Sequence, residues 1–213
     1  MNVTLIFSED YYQRVAEAYI SALEARAGRN QDIRSVASVA SFFVSRVDAI
    51  CEKHFDGLAK SGKAKAEDKK GFLGKIGVAN SKIAYARYET LFDSERFKKL
   101  RDQGARVQRP LWASTGTKNP DFSPVMYVEE LAGRDTVNTL PPATLNSLLK
   151  GGRIEPRLHA KLDDAKKQIS DLKKLGVPFD QLMVELQADG VKIFADSYQE
   201  LLNSVEQKRK TFA

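Results

Sequence analysis

The chain has 213 residues, of which 42% are hydrophobic and 29% are charged, the proportions of a globular domain with its own core. Its 34 basic and 28 acidic residues give a net charge of +6, which favours anionic partners such as phosphorylated metabolites or nucleic acid. The single cysteine excludes a disulfide framework, no apolar run predicts a membrane span, and the first residues lack a secretion signal, which together indicate a cytoplasmic protein.

The first half of the chain predicts two strands with helical sequence after each. Asn2–Ser8 is a β-branched and aromatic run, and a helix with acidic residues in its first turn follows as far as Gly28. The apolar run Val39–Val44 is too short for a helix and predicts a buried strand. The lysine-rich stretch Ala59–Lys70 is interpreted as a solvated loop, and an amphipathic helix then runs to Phe92.

The second half predicts two further strands before a mostly helical tail. Ser94 caps a short helix, and Val107–Ser114 is the third predicted strand. A short helix ends at Gly133, and Asp135–Leu140 is the fourth strand, which two prolines stop. The helical remainder is predicted to break at three places, near Gly151, Gly176 and Gly190.

This alternation of strands and helices predicts an α/β fold with a parallel sheet and crossover helices. A complete TIM (β/α)8 barrel takes eight βα units, typically about 250 residues in all. Four strands in this chain therefore predict either half of such a barrel or a small open sheet with a large helical tail.

Polar side chains gather at the carboxyl ends of the predicted strands, where ligands bind in barrels and open α/β sheets. They are Ser41 and Arg46 at the second strand, Ser114 to Lys118 at the third, and Asn138 and Thr139 at the fourth, while the end or interior of the first strand offers Asn2 and Thr4. Hydroxyls with two cations predict a site for a polyhydroxylated anion such as a sugar phosphate. The alternative for the third set is a plain surface turn, since Gly, Asn and Pro favour turns.

Four segments in this order resemble the carboxyl-terminal part of the transaldolases: NVTLIFS, ASFFVSRVD, RPLWASTGTKNP and DTVNTLPP. The likeness is closest to the bacterial branch with the LWASTGTKNP signature, and it covers essentially the whole chain. It implies an eight-stranded α/β barrel of the class I aldolase type. It also implies transfer of dihydroxyacetone from sedoheptulose 7-phosphate to glyceraldehyde 3-phosphate in the non-oxidative pentose phosphate pathway. A strand lysine forms the Schiff base in that family, and we expect no cofactor.

The resemblance also assigns roles to individual residues. Thr4 resembles the threonine that holds the catalytic water. The residues that resemble contacts to the ketose and its dihydroxyacetone part are Asn2, Ser41 and Phe43. The residues assigned to the phosphate are Arg46, Ser114 and Lys118. Lys118 would take the place of an arginine that many transaldolases have, and it would act as a point charge instead of a bidentate fork.

One part of the family pattern has no counterpart in this sequence. The Schiff-base lysine should lie on a strand before NVTLIFS, and the acidic residues that shuttle protons lie earlier still. Lys75 and Lys82 fall in a helical pattern, and Lys118 falls in the presumed phosphate loop. We therefore interpret residues 1–213 as a single partial barrel domain, its last four βα units without the first four strands, inactive alone. Its exposed sheet edges predict self-association or binding of a missing amino-terminal half.

The alternative function is a non-catalytic module that binds a sugar phosphate or another anion. Nucleic-acid binding is not predicted, because no clustered basic face or interleaved aromatic residues are present. Cys51 and His54 lie three residues apart on one helical face. Zinc needs at least three suitable protein ligands, so no metal site is predicted either.

Overall fold

One parallel sheet organises the chain, whose computed structural model describes residues 1–212 apart from the side chain of residue 66. Its strands within that range are β1 (Asn2–Ile6), β2 (Ser38–Phe43), β3 (Gln108–Ala113) and β4 (Val137–Asn138). The order is β1-β2-β3-β4, and each strand pairs in parallel with the next one along the chain. The predicted α/β fold with four parallel strands and many helices is therefore confirmed.

Helices follow every strand, as consecutive βα units require. Those among the described residues are α1 (Glu9–Ala27), α2 (Ser45–Lys60), α3 (Ile76–Phe92), α4 (Glu95–Arg101), α5 (Met126–Glu130), α6 (Pro142–Gly151), α7 (Leu162–Lys174) and α8 (Phe179–Thr211), with a 3-10 turn at Ala66–Gly71. The helices end near Gly151 and Gly176 as predicted. None of the described helices combines the length and the apolar character needed to cross a bilayer.

The junction between β1 and α1 shows why the chain turns from strand to helix here. Ser8 has an extended backbone, and its hydroxyl accepts a hydrogen bond from the backbone N–H of Tyr11 at 3.2 Å. Glu9 and Asp10 follow in the first turn, where negative charge is stabilised by the helix dipole. This cap confirms the predicted start of the helix.

The two faces of the sheet bury different cores. The α1 face is defined by Ile6, Phe42 and Trp112, which pack with residues of α1, α3 and α4. The α8 face is defined by residues such as Phe43 and Leu111, which share a core with α2, α7 and α8. Alternate residues along each strand thus serve different layers, as the two-residue repeat of a β-strand requires.

A β-bulge interrupts β1 between Val3 and Ile6. Val3 lies opposite Ala40 and Ile6 opposite Phe42, so β1 contains one residue more than β2 over this stretch. The left-handed residue of the bulge is Leu5, with a φ of 60°, and its side chain belongs to the core of the α8 face.

The predicted helix break at Gly190 is wrong, because α8 runs through this residue without interruption. A glycine inside a helix costs only about 1 kcal/mol relative to alanine, which packing can offset. The reason for glycine here is close approach, since a Cβ at Gly190 would lie 2.8 Å from a methyl carbon of Leu5. The last helix therefore rests on the bulge of the first strand.

The fourth strand is shorter than predicted. Pairing with β3 is limited to Val137 and Asn138, although the sequence predicted a strand over Asp135–Leu140. Asp135 has a left-handed φ of 54°, which is incompatible with an extended start, and Pro141 precedes α6 directly. The remaining strand boundaries differ from the predicted ones by one or two residues.

Candidate functional site

Polar groups of β1 and β2 meet on the α8 face of the sheet. The Ser41 hydroxyl donates a hydrogen bond to the Asn2 side-chain oxygen at 2.7 Å, and Ser41 is buried while Asn2 is exposed. The predicted ketose residues Asn2 and Ser41 are therefore in contact, although 39 positions separate them. Phe43 follows on the same face of β2, and its ring centre lies 5.2 Å from that of Phe7.

The ends of β2 and β3 are joined through two serines. The Ser45 and Ser114 hydroxyl oxygens lie 2.8 Å apart, and the Ser45 backbone N–H donates to the Ser114 carbonyl at 3.1 Å. Ser114 has a left-handed φ of 58°, which turns the chain sharply out of β3. Ser45 is the first residue of α2, so the predicted phosphate residue Ser114 lies at the amino-terminal end of a long helix. Such an end carries partial positive charge.

Arg46 occupies the next position in α2. Its guanidinium carbon lies 5.3 Å from the centre of the Phe43 ring, and the residue is half-buried. Within residues 1–212 the Arg46 side chain forms no ion pair with a carboxylate. A guanidinium stacked on an aromatic ring and lacking a counter-ion in this part of the chain is available to an anionic ligand.

The loop after β3 divides into an anchored part and a surface turn. The buried Thr115 hydroxyl contacts the carbonyl oxygen of Thr139 at 2.7 Å and the side-chain oxygen of Asn138 at 3.0 Å. Lys118 lies further along and is exposed, and Asn119 then opens a turn in which its side chain accepts from the Asp121 backbone N–H. The expected surface turn is therefore present at Asn119, while the Thr115 hydroxyl is engaged by the end of β4.

The predicted site residues fall into three groups in the structure. Asn2 and Ser41 form one hydrogen-bonded pair. Ser114 joins Ser45 beside Arg46, which itself stacks on Phe43, so the α2 end of the site is continuous with β2 and β3. Thr4 is exposed at the β1 bulge, and neither Thr4 nor Lys118 is hydrogen-bonded through its side chain to either group within the described residues.

Asp48 is a buried carboxylate without a predicted role. Its two oxygens accept hydrogen bonds from the Gly77 backbone N–H at 2.9 Å and from the Tyr127 hydroxyl at 2.7 Å. Burial raises the pKa of the Asp48 carboxyl to about 6, although these hydrogen bonds act in the opposite direction. Asp48 thus ties the first turn of α2, which carries Arg46, to α3 and α5.

The close approach of Gly77 to Val44 and Asp48 completes this anchor of α2. A Cβ at Gly77 would lie 2.6 Å from the Val44 carbonyl oxygen and 2.8 Å from a carboxylate oxygen of Asp48. Only glycine therefore fits against the β2–α2 junction. The sequence signal for Asp48 was its position two residues after Arg46, just beyond the predicted second strand.

None of the four described strands contains a lysine. Lys82 is buried, but it lies on α3, where its ammonium nitrogen is 3.3 Å from a Glu130 carboxylate oxygen and 3.2 Å from the Ala160 carbonyl oxygen. Lys75 contacts the Gly71 carbonyl at the start of the same helix. Neither amine lies on the sheet.

Cys51 and His54 do not form part of a metal-ligand cluster, since no group of three His, Cys, Asp or Glu side chains converges within the described residues. Cys51 is a buried free thiol. Burial is the main cause that raises its pKa to about 12, so it packs as a neutral group in the core.

A sequential parallel sheet with polar and cationic groups at its strand ends defines a set of consecutive βα units from an α/β barrel protein. The model of the transaldolase/fructose-6-phosphate aldolase family matches residues 1–205, and the chain belongs to this family. The resemblance found in the four sequence segments is thereby confirmed.

Curated relatives that are 41% to 42% identical to the chain carry the name transaldolase. The chain is 42% identical to the transaldolase of Trichodesmium erythraeum, over 99% of this chain and 56% of that protein. It is 41% identical to transaldolase 2 of Nostoc punctiforme, over 100% of this chain and 57% of that protein. It is 42% identical to the transaldolase of Mycolicibacterium smegmatis, over 97% and 54% respectively. The chain therefore spans a little over half the length of the curated relatives it matches.

Proposed function

We propose that the chain supplies the phosphate-binding part of a transaldolase site. The reaction would transfer dihydroxyacetone from sedoheptulose 7-phosphate to glyceraldehyde 3-phosphate through a lysine Schiff base in the non-oxidative pentose phosphate pathway. The observation that carries the proposal is the position of Arg46. It lies at the start of α2, free of any carboxylate partner among residues 1–212, beside the hydrogen-bonded ends of β2 and β3.

In this proposal the phosphate and the sugar contact different parts of the α8 face. Arg46 binds two phosphate oxygens at once, and Ser114 donates its hydroxyl to a third, because guanidinium and phosphate geometry match bidentately. Lys118 adds a point charge from its exposed loop. Asn2 and Ser41 bind ketose hydroxyls.

Two further residues act nearer the reacting carbon atoms in the proposal. Phe43 forms the aromatic wall beside the dihydroxyacetone unit, with its ring close to both Phe7 and the Arg46 guanidinium. Thr4 positions the catalytic water from the exposed bulge of β1. We place this chemistry in the cytoplasm, where a lone buried thiol such as Cys51 stays reduced.

The amine that forms the Schiff base lies outside residues 1–213 in the proposal, because no described strand carries a lysine. The chain alone would then bind a ketose phosphate without reacting with it. The open edges of β1 and β4 would accept the missing strands or a second copy, since an unpaired strand edge presents free backbone donors and acceptors.

The phosphate site is tested by titrating the purified chain with fructose 6-phosphate and with fructose, following backbone amide NMR signals. We expect the phosphate ester to bind at least roughly tenfold more tightly, since one charge-assisted contact is worth about 1.5 kcal/mol or more. Arg46→Gln should remove this preference. Lys150→Gln removes the same charge from an exposed position on α6 and should leave it unchanged. An Arg46→Gln chain that retains the preference contradicts the proposal.

The absent amine is tested by incubating the chain with fructose 6-phosphate and borohydride and measuring its mass. We expect no covalent adduct, and an adduct on any lysine of this chain would overturn the assignment. The lack of a strand lysine equally favours the second candidate, a non-catalytic module that binds anions. That candidate predicts that inorganic phosphate competes as well as the sugar phosphate, because the sugar then makes no contacts of its own.

A further inference from the structure

A crevice of about 360 Å³ lies at the amino-terminal ends of the strands. It is formed by the last turns of α3 and by the segments that lead into β3 and β4, where Val107 and Asp135 line it. Arg46 and Ser114 lie at the opposite, carboxyl ends of β2 and β3. The six residues of β3 span about 20 Å between the two ends, so a small ligand in this crevice does not reach the candidate site.

One wall of the crevice is aromatic. The ring of Tyr85 is stacked on that of Tyr88, with ring centres 5.5 Å apart, and lies 5.3 Å from the ring of His159 in an edge-to-face arrangement. Phe92 continues the wall, at 5.1 Å from Tyr88 between ring centres. The faces of aromatic rings carry negative charge and attract cations, so this wall favours a cationic ligand.

Three carboxylates that line the same crevice accept no hydrogen bond from the described residues: Glu89, Asp93 and Asp135. Within residues 1–212 each forms one long ion pair, in that order with His159 at 3.4 Å, Arg101 at 3.6 Å and Arg134 at 3.9 Å. Charge-assisted hydrogen bonds are shorter than this, at about 2.7–2.9 Å. The three carboxylates outnumber the two guanidinium groups, and their oxygens remain able to accept hydrogen bonds from a ligand.

The carboxyl end of α3 adds to the negative charge. Such a helix end carries partial negative charge, and the last turn of α3 contains no basic residue of its own. The Phe92 carbonyl at this end accepts a hydrogen bond from the Arg101 guanidinium at 2.7 Å, so the helix end already binds one cation. Burial is the main cause that raises the pKa of Tyr85 to about 12, and the charges of Glu89 and Asp135 act in the same direction.

Tyr88 is a buried polar residue of this wall whose hydroxyl is unpartnered within the described residues. It is only 5% exposed, whereas the neighbouring Tyr85 hydroxyl donates to the Arg134 carbonyl at 3.1 Å. Burial raises the pKa of Tyr88, and the charge of Asp135 raises it further, so the phenol stays neutral. A buried polar group without a hydrogen bond costs free energy, and a ligand that donates to the Tyr88 oxygen would offset that cost.

The arrangement of the carboxylates favours an extended cation over a metal ion. No three His, Cys, Asp or Glu side chains of the described residues are grouped so that they could hold a metal. Glu89 and Asp93 are four positions apart on α3, a spacing of about 6 Å along the helix surface. Aliphatic polyamines match this pattern, because their ammonium groups are separated by short methylene segments that can pack on aromatic rings.

We propose that this crevice is a binding site for an aliphatic polyamine. One ammonium group would lie between Glu89 and Asp93 at the carboxyl end of α3 and donate to the Tyr88 hydroxyl. A second would pair with Asp135, and the methylene groups between them would lie along the ring of Tyr85. The proposal uses none of the residues of the proposed function, so the two are tested separately.

Binding is tested by isothermal titration calorimetry of the full chain with spermidine at low ionic strength. We expect one molecule bound per chain and an affinity that falls as salt is added. Butylamine carries a single ammonium group and should bind at least about tenfold more weakly, because it forms fewer charge-assisted contacts. Magnesium chloride should displace spermidine no better than sodium chloride of the same ionic strength. Absence of saturable binding, or specific displacement by magnesium, would overturn the proposal.

The carboxylates are tested by the double variant Glu89→Gln and Asp135→Asn, which should weaken spermidine binding at least about tenfold. The matched control is Glu185→Gln and Asp189→Asn, which removes the same charge from two exposed positions on α8. The control should bind like the unaltered chain. An equal loss in both double variants would mean that spermidine is attracted only by overall charge, which contradicts the proposal.

Tyr88→Phe separates a contact with the ligand from a structural role. The hydroxyl has no partner among the described residues, so its removal should not lower the free energy of unfolding measured in urea. Spermidine affinity should nevertheless fall about threefold or more, because the ammonium group loses an acceptor. A Tyr88→Phe chain that binds spermidine as tightly as the unaltered chain would show that this crevice does not hold the ligand as proposed.

Discussion

The α1 face and the α8 face of the sheet are built from the same strands but differ in what they present. The α1 face is closed by large apolar side chains, with Phe42 and Trp112 fully buried beneath α1, α3 and α4. The α8 face mixes apolar residues with the Asn2–Ser41 pair and ends at the half-buried Arg46. Alternation along each strand therefore gives the two faces different side chains, and the α8 face carries the Asn2–Ser41 pair beside a buried core of its own.

The comparison predicts that the largest loss of stability comes from the α1 face. Trp112→Ala removes a fully buried indole that also donates a hydrogen bond to the Leu131 carbonyl at 3.0 Å. We expect the free energy of unfolding to fall by about 3–5 kcal/mol, measured by urea denaturation followed by circular dichroism. The control is Phe212→Ala, at a side chain that is 90% exposed, which should change stability by less than about 0.5 kcal/mol.

The second prediction concerns Asp48, the buried carboxylate that joins α2 to α3 and α5. The pKa of Asp48 is about 6 in the folded chain against 3.8 for the ordinary group, so the folded state holds this proton more tightly. The contribution of Asp48 to the free energy of unfolding should therefore be highest below about pH 4. It should fall by on the order of 3 kcal/mol as pH rises to about 6, and then level off.

The measurement for Asp48 is the free energy of unfolding in urea at several pH values between about 4 and 7. Asp48→Asn has no proton to release and should flatten the decline over this interval. Asp163→Asn, at an acidic residue in the first turn of α7, is the control and should keep the decline. An unchanged slope in Asp48→Asn would mean that Asp48 is not buried as a carboxylate.

A third prediction compares two helical glycines. Gly77→Ala places a Cβ 2.6 Å from a backbone carbonyl at the β2–α2 junction, whereas a Cβ at Gly57 meets nothing within 4 Å. We expect Gly77→Ala to lower stability by about 1–3 kcal/mol through overpacking. Gly57→Ala should raise it by up to about 1 kcal/mol through helix propensity. Thermal unfolding of both variants checks the pair, and equal effects would contradict the close packing of α3 on α2.

The smallest expected effect lies on the α8 face. The hydrogen bond between Ser41 and Asn2 should contribute about 1 kcal/mol, because one partner is exposed to water. A double-mutant cycle with Ser41→Ala and Asn2→Ala measures this coupling in the free energy of unfolding. Additive effects of the two substitutions would indicate that the pair is not formed in solution.

Local signals in the sequence predicted much of the fold. The start of α1 after Ser8 and the helix ends near Gly151 and Gly176 depend on residues a few positions apart, and each was predicted where it occurs. Gly190 was predicted wrongly, because its role is decided by Leu5 at the opposite end of the chain. A local rule for glycine cannot contain that contact.

The candidate site was predictable only in part for the same reason. The family resemblance indicated Arg46 and Ser114, but the sequence did not indicate Asp48 and Ser45, which position them. Asp48 receives its hydrogen bonds from residues 29 and 79 positions away, and Ser45 meets Ser114 across 69. Such pairings arise from the order of the strands, which a pattern of single residues does not specify.

The bulge in β1 allows one short strand both to pair with β2 and to contact α8. Val3 and Ile6 face Ala40 and Phe42, partners that are themselves two residues apart, so deleting Leu5 would restore an unbroken ladder with every other side chain on its present face. The deletion would also remove a buried core side chain, the one that meets Gly190. A single additional residue in β1 thus provides a contact between the sheet and the terminal helix, and its loss would change how α8 is attached while Val3 and Ile6 keep their partners in β2.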